Sequence, residues 1–308
     1  MNRLYSNKRN IILFLLPALI LFCGVLIAPI GASAYLSFFN WSGYDELTFV
    51  GLGNYQELFA PADNYKEILA SGSFGWLKVL EDIEFVKALF NSLLLAVLSV
   101  FLQLPLALGL ALALGKKIKG ERMFLSVYFM PVLISTVVIG QLFLKIYNPS
   151  YGILNVGLRA LGLDSLTRTW LDKKSALGAA FIPTLWQYVG YHMLLLYAGV
   201  KSVPPELREA AMLDGASDSQ VNRYIVLPYI KPIIRISVIF AVTGSLKSFD
   251  MIYVLFRKSH YVEVPSTLMI EYLFDRNRYG MGCTIAVLLI VLCFGFALLI
   301  NAIFKEED

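Results

Sequence analysis

The sequence has few charged, cysteine and histidine residues. Charged residues make up only 16% of its 308 residues, and it contains three cysteines and two histidines. Cys23, Cys283 and Cys293 all lie in apolar stretches, while His192 and His260 are far apart, so no spacing indicates a disulfide framework or a metal site. We therefore expect no metal site, and we expect the cysteines to be small packing residues.

Nucleotide-binding and catalytic motifs are also lacking. The nearest approach to a P-loop runs from Gly109 to Lys117, but it has one residue too many between its glycines, and Lys117 stands where serine or threonine is required. Neither a nucleophile elbow nor a zinc-protease motif is present. The sequence therefore predicts a protein that is not an enzyme, has no catalytic residues and binds no cofactor itself.

Apolar residues, by contrast, are abundant. Hydrophobic residues make up 58% of the chain and the mean hydropathy is +0.68. Apolar runs long enough to cross a ~30 Å hydrocarbon core recur along it. We expect an all-α polytopic membrane protein whose residues 1–308 form one transmembrane domain. Its six transmembrane helices are predicted at about 11–39, 86–114, 123–147, 175–200, 232–256 and 279–304, and 201–231 is a loop.

Basic residues are unevenly distributed among the predicted loops. The N-terminal segment and the loop 115–122 are rich in lysine and arginine, whereas the long loop after the first span is mainly acidic. Short cytoplasmic loops carry an excess of Lys and Arg, so this pattern places both termini and the 201–231 loop in the cytoplasm. The net charge of +4 then reflects membrane topology rather than nucleic-acid binding.

The first apolar segment has two features of a cleaved signal peptide. It follows basic residues, and the triplet Ala32-Ser33-Ala34 resembles a cleavage site. Its uncharged run is, however, much longer than the roughly 7–15 residues of a signal-peptide core. Cleavage would also reverse the orientation of every later loop. We therefore predict an uncleaved signal anchor.

The loop 201–231 contains the signals of two short helices. Pro205 suits the first turn of a helix, and Gly215 supplies a residue able to adopt positive φ and end that helix. Ser217 and Gln220 have the spacing of a capping box, which predicts a second helix directly afterwards. Pro228 is expected to end or bend that helix before the next apolar run.

This loop resembles a known family signature. Residues 209–228, EAAMLDGASDSQVNRYIVLP, resemble the coupling loop of bacterial ABC importer permeases. Four further segments resemble the carbohydrate-uptake group of that family, the maltose and glycerol-phosphate type, and in particular its first permease. They are VGLGNY at 50–55, NPSYGILN at 148–155, WQ at 186–187 and GSLKSFD at 244–250.

The resemblance implies a type I ABC importer permease fold in the bacterial cytoplasmic membrane. It also implies a second permease chain, two ATPase subunits that bind ATP and Mg, an extracellular solute-binding protein and a sugar or oligosaccharide substrate. We expect Glu209 to anchor the loop to the ATPase through a charged hydrogen bond, and Ala210, Ala211 and Ala216 to keep it slim enough for a groove on that partner. The ATPase-coupling residues implied are Glu209, Ala210, Ala211, Asp214, Gly215, Leu227 and Pro228.

Polar residues within the predicted spans are candidates for a substrate path, because they are costly in a membrane unless they face a cavity or one another. Thr184, Gln187, Tyr188 and Tyr191 share one helical face, where aromatic rings and hydrogen-bonding groups suit a sugar. The complete predicted set is Thr136, Thr184, Gln187, Tyr188, Tyr191, Gly244, Ser245, Lys247 and Asp250.

Some interpretations stay open. Lys247 and Asp250 are three residues apart and either pair with each other or contact substrate. Asn91, Gln103 and Gln141 are assigned to hydrogen bonds between helices. The substrate could be a non-sugar solute, such as a glycerol phosphodiester or a peptide. A stand-alone secondary carrier is disfavoured because no internal repeat is evident, and a purely structural membrane subunit is a further alternative.

Overall fold

The computed structural model describes residues 8–61, 80, 82–116 and 118–304, so the chain ends whose cytoplasmic location was predicted lie outside the described residues. Helices dominate, which confirms the all-α prediction. The helices before residue 170 are α1 (Lys8–Phe22), α2 (Ala28–Leu36), α3 (Gly53–Leu58), α4 (Glu84–Leu98), α5 (Leu104–Leu114), α6 (Glu121–Phe129), α7 (Thr136–Ile146) and α8 (Ile153–Ala160). Those after it are α9 (Ala176–Ser202), α10 (Pro205–Leu213), α11 (Asp218–Val221), α12 (Leu227–Tyr229), α13 (Lys231–Leu246), α14 (Asp250–Phe256), α15 (Pro265–Ile270) and α16 (Tyr279–Ile303). The strands β1 (Phe39–Asn40) and β2 (Thr48–Phe49) pair antiparallel.

Several helices contain a π turn placed just ahead of a proline. π turns at Cys23–Ile27, Ser99–Gln103 and Asn222–Val226 are each followed by a proline two residues later, namely Pro29, Pro105 and Pro228. Proline has no N–H, and its ring collides with the carbonyl four residues before it. The π turn widens the helix at that point: the Leu104 N–H donates to the Ser99 carbonyl, five residues back. The chain therefore stays helical past each proline.

Two compact units can be distinguished, the first comprising Met1–Val79 with Leu268–Val291 and the second Leu80–Thr267 with Leu292–Asp308. In the first unit, the VGLGNY motif has a structural role. The buried Asn54 amide donates to the carbonyls of Ser37 and Phe39, both at 2.9 Å, just after α2 ends. Arg278 donates two hydrogen bonds to the Glu57 carboxylate at 2.5 and 2.6 Å, which holds the pKa of Glu57 below its usual value.

The second unit is organised around α9, a helix of 27 residues. The small, fully buried Ala107 and Ala111 of α5 allow close packing against Met193 and Leu196 of α9. Gly190 allows another close approach, because a Cβ there would lie 1.8 Å from the Tyr128 carbonyl oxygen. Small residues thus let two neighbouring helices contact α9 closely.

The third predicted span is divided in the structure. A segment of Glu121–Leu133 and a segment of Thr136–Ile146 meet at an angle of 91°. Ile134 and Ser135 between them have extended backbone, and Pro131 lies in the last turn before the break. The prediction of one continuous helix over 123–147 is therefore corrected, because the proline and the extended residues interrupt the backbone hydrogen bonding.

The other predicted spans fall largely within helical segments, although 232–256 is interrupted between Leu246 and Asp250. Four stretches are long and apolar enough to cross a membrane, Phe14–Leu36, Glu84–Leu114, Lys231–Phe256 and Tyr279–Ile303, and a fifth is obtained if the bent pair counts as one span. At ~1.5 Å per residue, α9 is also long enough, but polar residues such as Gln187 and His192 lower its hydropathy. Among the described residues the count of six spans therefore stays a prediction.

Candidate functional site: a polar cavity and a helical hairpin

A cavity of about 370 Å³ opens within the second unit. Its wall is formed by side chains of α9, α13 and α14, with contributions from the π turn after α4 and from the start of α7. All the predicted substrate-path residues except Gln187 line it: Thr136, Thr184, Tyr188, Tyr191, Gly244, Ser245, Lys247 and Asp250. The volume lies within the ~300–1,000 Å³ range of small-molecule sites.

Gln187 is buried away from this cavity, and its hydrogen bonds explain why. Its Nε2 donates to the Ile134 carbonyl and to Thr136 Oγ1, both at 3.1 Å. These acceptors flank the break between α6 and α7, where backbone groups have lost their helical partners. Gln187 therefore stabilises the bend between α6 and α7. The face of α9 that lines the cavity includes Phe181 and His192 in place of Gln187, so it differs from the predicted face by a small rotation about the helix axis.

The two charged residues of the cavity stand at a helix break. Lys247 follows the last residue of α13, and Asp250 is the first residue of α14. A cation at a helix C-terminus and an anion at a helix N-terminus are both favoured by the helix dipoles. Both residues are exposed, and within the described part of the chain no ion pair or hydrogen bond joins their side chains. The structure therefore does not form the Lys247–Asp250 pair that the spacing allowed.

Aromatic and hydroxyl groups form much of the remaining wall. Tyr191 contacts Phe240 with ring centroids 6.3 Å apart, and both residues are partly exposed. The Tyr188 hydroxyl is 3.4 Å from Thr136 Oγ1. Aromatic faces beside hydroxyls, one carboxylate and one ammonium can stack on and hydrogen-bond a polar solute.

Sequence reasoning missed part of this wall. The cavity residues that it did not single out as cavity-lining are Leu95, Ser99, Gln103, Phe181, His192, Phe240, Ala241, Thr243, Ser248, Phe249 and Met251. A signal was available for Ser99 and Gln103, because polar residues four positions apart in an apolar span face the same side. The proline two residues after Gln103 was a further sign of a π turn.

The second feature is the hairpin of α10 and α11, whose local structure confirms the sequence prediction. α10 begins at Pro205, and Gly215 has φ +85°. The Ala216 N–H donates to the Ala211 carbonyl, and the Gly215 N–H donates to the Met212 carbonyl. These two bonds form a Schellman motif, in which a left-handed glycine ends the helix.

The capping box is also present. The Ser217 side chain accepts a hydrogen bond from the Gln220 N–H at 3.4 Å, and Gln220 Oε1 accepts one from the Ser217 N–H at 2.8 Å. A π turn accommodates Pro228, and the helical segment ends one residue later, at Tyr229, before α13 begins at Lys231. Local sequence thus specifies both helices of the hairpin and the turn between them.

One face of the hairpin packs against the membrane helices of its own chain. Ala211 and Ala216 are partly buried against a cluster that includes Val200 and Val221. Arg208 donates to the Val200 carbonyl at the end of α9. The expectation that Ala211 and Ala216 slim the face offered to a partner is therefore corrected, because they fit the hairpin to its own bundle.

The opposite face is free within the described residues. Glu209, Ala210, Asp214 and Gly215 are exposed, while Leu227 is partly buried and Pro228 exposed. Leu213 is 89% exposed, although it is a large apolar side chain.

The NPSYGILN segment is held by its two asparagines. Asn148 Oδ1 accepts hydrogen bonds from the Ser150 and Tyr151 N–H groups. The buried Asn155 donates to the carbonyls of Pro149 and Arg168 and accepts from the Trp170 indole N–H. These asparagines fix the loop, whereas Tyr151 is exposed.

Helices that expose many large apolar side chains, a cavity lined by apolar and polar side chains, and an exposed helical hairpin are features expected of a membrane transport component. Residues 103–305 match the family described as "Binding-protein-dependent transport system inner membrane component". The chain belongs to this family and is a multi-pass permease component of an ABC transport system.

Several proteins are similar along nearly their whole length. "Probable ABC transporter permease protein YurN" of Bacillus subtilis is 36% identical, over 97% of this chain and 98% of that protein. "Multiple sugar-binding transport system permease protein MsmF" of Streptococcus mutans is 31% identical, over 91% and 89%. "Trehalose/maltose transport system permease protein MalF" of Thermococcus litoralis is 29% identical, over 96% and 93%.

The fold is also found in a solved structure. A chain in the crystal structure of a bacterial alginate ABC transporter, in complex with an alginate pentasaccharide-bound periplasmic protein, superposes with a TM-score of 0.74. The identity is 22%, and the match covers 98% of this chain and 96% of that chain. The predicted ABC importer permease fold is thereby confirmed.

Proposed function

We propose that this chain is a transmembrane subunit of an ATP-driven, binding-protein-dependent importer for a sugar or oligosaccharide. It forms half of the translocation path with a second permease chain, and its hairpin couples that path to an ATPase. Relatives named for the transport of multiple sugars, of trehalose and maltose, or of diacetylchitobiose support a saccharide.

The cavity carries this proposal. Its aromatic rings, hydroxyl groups and unpaired Asp250 carboxylate match the apolar faces and hydroxyl groups of a sugar. The residues assigned to the substrate path are Thr136, Thr184, Tyr188, Tyr191, Gly244, Ser245, Lys247 and Asp250. We leave Gln187 out of this set because it holds the bend next to the cavity.

The hairpin supports the coupling role. Its inner face is fixed to α9 through Arg208, and its outer face carries Glu209 and Leu213 without a partner in the described part of the chain. Docking that outer face on an ATPase subunit would transmit movement to α9, whose other residues line the cavity. Two states of the ATPase, each favouring one arrangement of the hairpin, would then alternate access to the path. ATP and Mg would be bound by the ATPase subunits.

Reconstitution tests the function. The chain is placed in proteoliposomes with its second permease, ATPase and binding protein, and uptake of D-xylose, trehalose, maltose and diacetylchitobiose is measured with and without ATP. We expect ATP-dependent uptake of at least one of these saccharides, and none when this chain is omitted. Uptake of a glycerol phosphodiester or a peptide alone would favour the non-sugar alternative. Uptake driven by an ion gradient without the ATPase would indicate a secondary carrier.

The proposed orientation, with both termini and the hairpin in the cytoplasm, has its own test. Single cysteines replace Asp218 in the hairpin or Tyr151 in the NPSYGILN loop, after Cys23, Cys283 and Cys293 are changed to serine. We expect a membrane-impermeant thiol reagent added outside intact cells to label position 151 and to spare position 218. External labelling of position 218 would contradict both the orientation and the coupling role.

A further inference from the structure

Two buried side chains of the cavity wall each have one polar atom without a hydrogen-bond partner in the described part of the chain. Gln103 is 2% exposed and His192 is 5% exposed. Neither Gln103 Nε2 nor His192 Nδ1 has a partner among the described residues. Both residues line the cavity. Buried polar atoms in folded proteins are nearly always hydrogen-bonded. Of the seven buried side-chain atoms without a partner in the described residues, these two belong to residues that line the cavity.

The amide nitrogens of two comparable side chains in the second unit do find partners. The Asn91 amide donates to the Glu263 carbonyl at 2.8 Å, and the Gln187 amide donates to the Ile134 carbonyl at 3.1 Å. These side chains join one segment of the chain to another, as the sequence predicted for Asn91 and Gln103 alike. Gln103 does not form such a bond through Nε2, so the helix-to-helix assignment leaves its amide donors unexplained.

The backbone explains how Gln103 comes to line the cavity. It is the last residue of the π turn that the chain adopts ahead of Pro105, and Ser99 is the first. The wider turn places both side chains in the cavity wall, where Ser99 Oγ lies 3.4 Å from Ser245 Oγ of α13. Single π turns within α-helices are often found at functional sites.

We propose that Gln103 and His192 form a hydrogen-bonding subsite for the hydroxyl groups of the transported saccharide, an inference that rests on the proposed function. The Gln103 amide offers two N–H donors to a hydroxyl oxygen. A neutral imidazole offers one donor and one acceptor, and a hydroxyl group can satisfy either one. A saccharide carries many hydroxyl groups, and both residues line the same cavity.

The subsite also has a role in selectivity. A saccharide with a hydroxyl group at the matching position satisfies both side chains, whereas a solute lacking it leaves a buried polar atom without a partner. Discrimination by a site built to hydrogen-bond its ligand is stronger than discrimination by apolar contact alone. Gln103 and His192 are therefore specificity-determining residues of the path.

The test uses the complete complex in proteoliposomes with the same four saccharides. Gln103→Leu and His192→Phe remove the polar atoms while keeping much of the side-chain volume. The matched control is Gln141→Leu, which removes the amide of an exposed glutamine of α7 that does not line the cavity. We expect uptake of the transported saccharide to fall about three- to tenfold in each cavity variant. The relative rates among the four saccharides should change, and the control should stay within about twofold of the wild type.

A second measurement covers the case in which a cavity variant does not assemble. Gln103→Cys and the control Gln141→Cys are made in the chain without its native cysteines and treated with a small methanethiosulfonate reagent. The transported saccharide, delivered by the binding protein, should slow modification at position 103 and leave position 141 unaffected.

The outcomes separate the two proposals. If the wild-type complex takes up none of the saccharides, the proposed function and the subsite both fall. If it transports a saccharide, but uptake is unchanged in both cavity variants, or position 103 gains no protection, the subsite alone is wrong. In that case water, rather than the saccharide, forms the hydrogen bonds to Gln103 Nε2 and His192 Nδ1.

Discussion

The hairpin and the cavity are specified in different ways. The hairpin depends on neighbours in sequence, since the bonds of its Schellman motif and capping box join residues no more than five positions apart. The cavity depends on side chains from distant segments, such as Ser99 of the π turn after α4 and Ser245 of α13. A single substitution that violates a local backbone preference can therefore disrupt the hairpin. The cavity is altered only when one of its lining side chains or one of its helix contacts is removed.

The two regions also differ in what their outer surfaces offer. The hairpin exposes carboxylates and apolar side chains, while the cavity exposes rings, hydroxyl groups and two charged groups that form no ion pair among the described residues. They share α9, which lines the cavity through Tyr188 and accepts the Arg208 hydrogen bond at its C-terminal end. Substitutions that affect one region and spare the other can separate coupling from substrate contact.

The largest effect is expected for Gly215→Val. No atom lies within 4 Å of a Cβ at this position, so the substitution acts through φ +85° alone. A β-branched residue is strained there by about 1–3 kcal/mol. We expect normal insertion, weak co-purification of the ATPase and more than about tenfold loss of ATP-dependent uptake.

Gly215→Asn is the matched control, because asparagine tolerates the left-handed conformation. It should retain most of the uptake and of the bound ATPase. Glu209→Ala should show a milder form of the valine defect. Wild-type values for Gly215→Val in both assays would mean that the hairpin is only a connection between spans.

A large effect is also expected when the charges of the cavity are removed. Asp250→Asn and Lys247→Met each abolish one charged contact, and hydrogen bonds to charged groups contribute about 1.5–3 kcal/mol. We expect about a tenfold loss of uptake in each variant, with ATPase co-purification unchanged. The double variant should show the product of the two losses, whereas recovery in the double variant would indicate that the charges pair in the working complex.

Effects of intermediate size are expected at Gln187 and Tyr191, and the two residues should differ in whether stability or uptake is affected. Gln187→Leu leaves the Ile134 carbonyl at the helix break without its donor, which costs about 1–3 kcal/mol of stability. Tyr191→Ala removes a cavity ring that contacts Phe240. We expect the melting temperature of the purified complex to fall mainly for Gln187→Leu. Uptake per assembled complex should fall mainly for Tyr191→Ala, and the reverse pattern would place Gln187 in the substrate path.

The smallest effect is expected for Ser217→Ala, which removes half of the capping box. Loss of an N-cap side chain costs about 1 kcal/mol. Hydrogen exchange of the Gln220 amide should become severalfold faster, and uptake should fall less than for Gly215→Val. Ser219→Ala, an exposed serine in the same helix, is the control. Equal exchange rates in the two variants would show that packing alone holds α11.

Several expectations could be read from the sequence because they depend on local or compositional physics. Apolar run length predicted the main helices, and Gly215 and the Ser217–Gln220 pair predicted the hairpin. The resemblance of residues 209–228 predicted the family. The length of an apolar run and the φ preference of a residue depend on few neighbouring residues. They can therefore be recognised from the sequence before the tertiary structure is known.

Other features could not be read in this way. Gln187 has the helical spacing of a cavity residue, yet its amide is taken by the break before α7. Gln103 has the character of a helix-to-helix residue, yet it lines the cavity, and its buried Nε2 atom has no hydrogen-bond partner among the described residues. Spacing gives the face on which a side chain lies, but not which acceptors the neighbouring helices bring to that face.

The sequence by itself determined the all-helical membrane character, the hairpin with its left-handed glycine and the membership of a permease family. Only the tertiary structure decided that Lys247 and Asp250 stand at a helix break without pairing with each other and that Ala211 and Ala216 face their own bundle. It also decided that Gln103 Nε2 and His192 Nδ1 have no hydrogen-bond partner within the described residues. The first set follows from burial of apolar residues and from local backbone geometry. The second depends on which donors and acceptors meet when distant segments pack, because a hydrogen bond requires its two atoms to lie within about 3.2 Å.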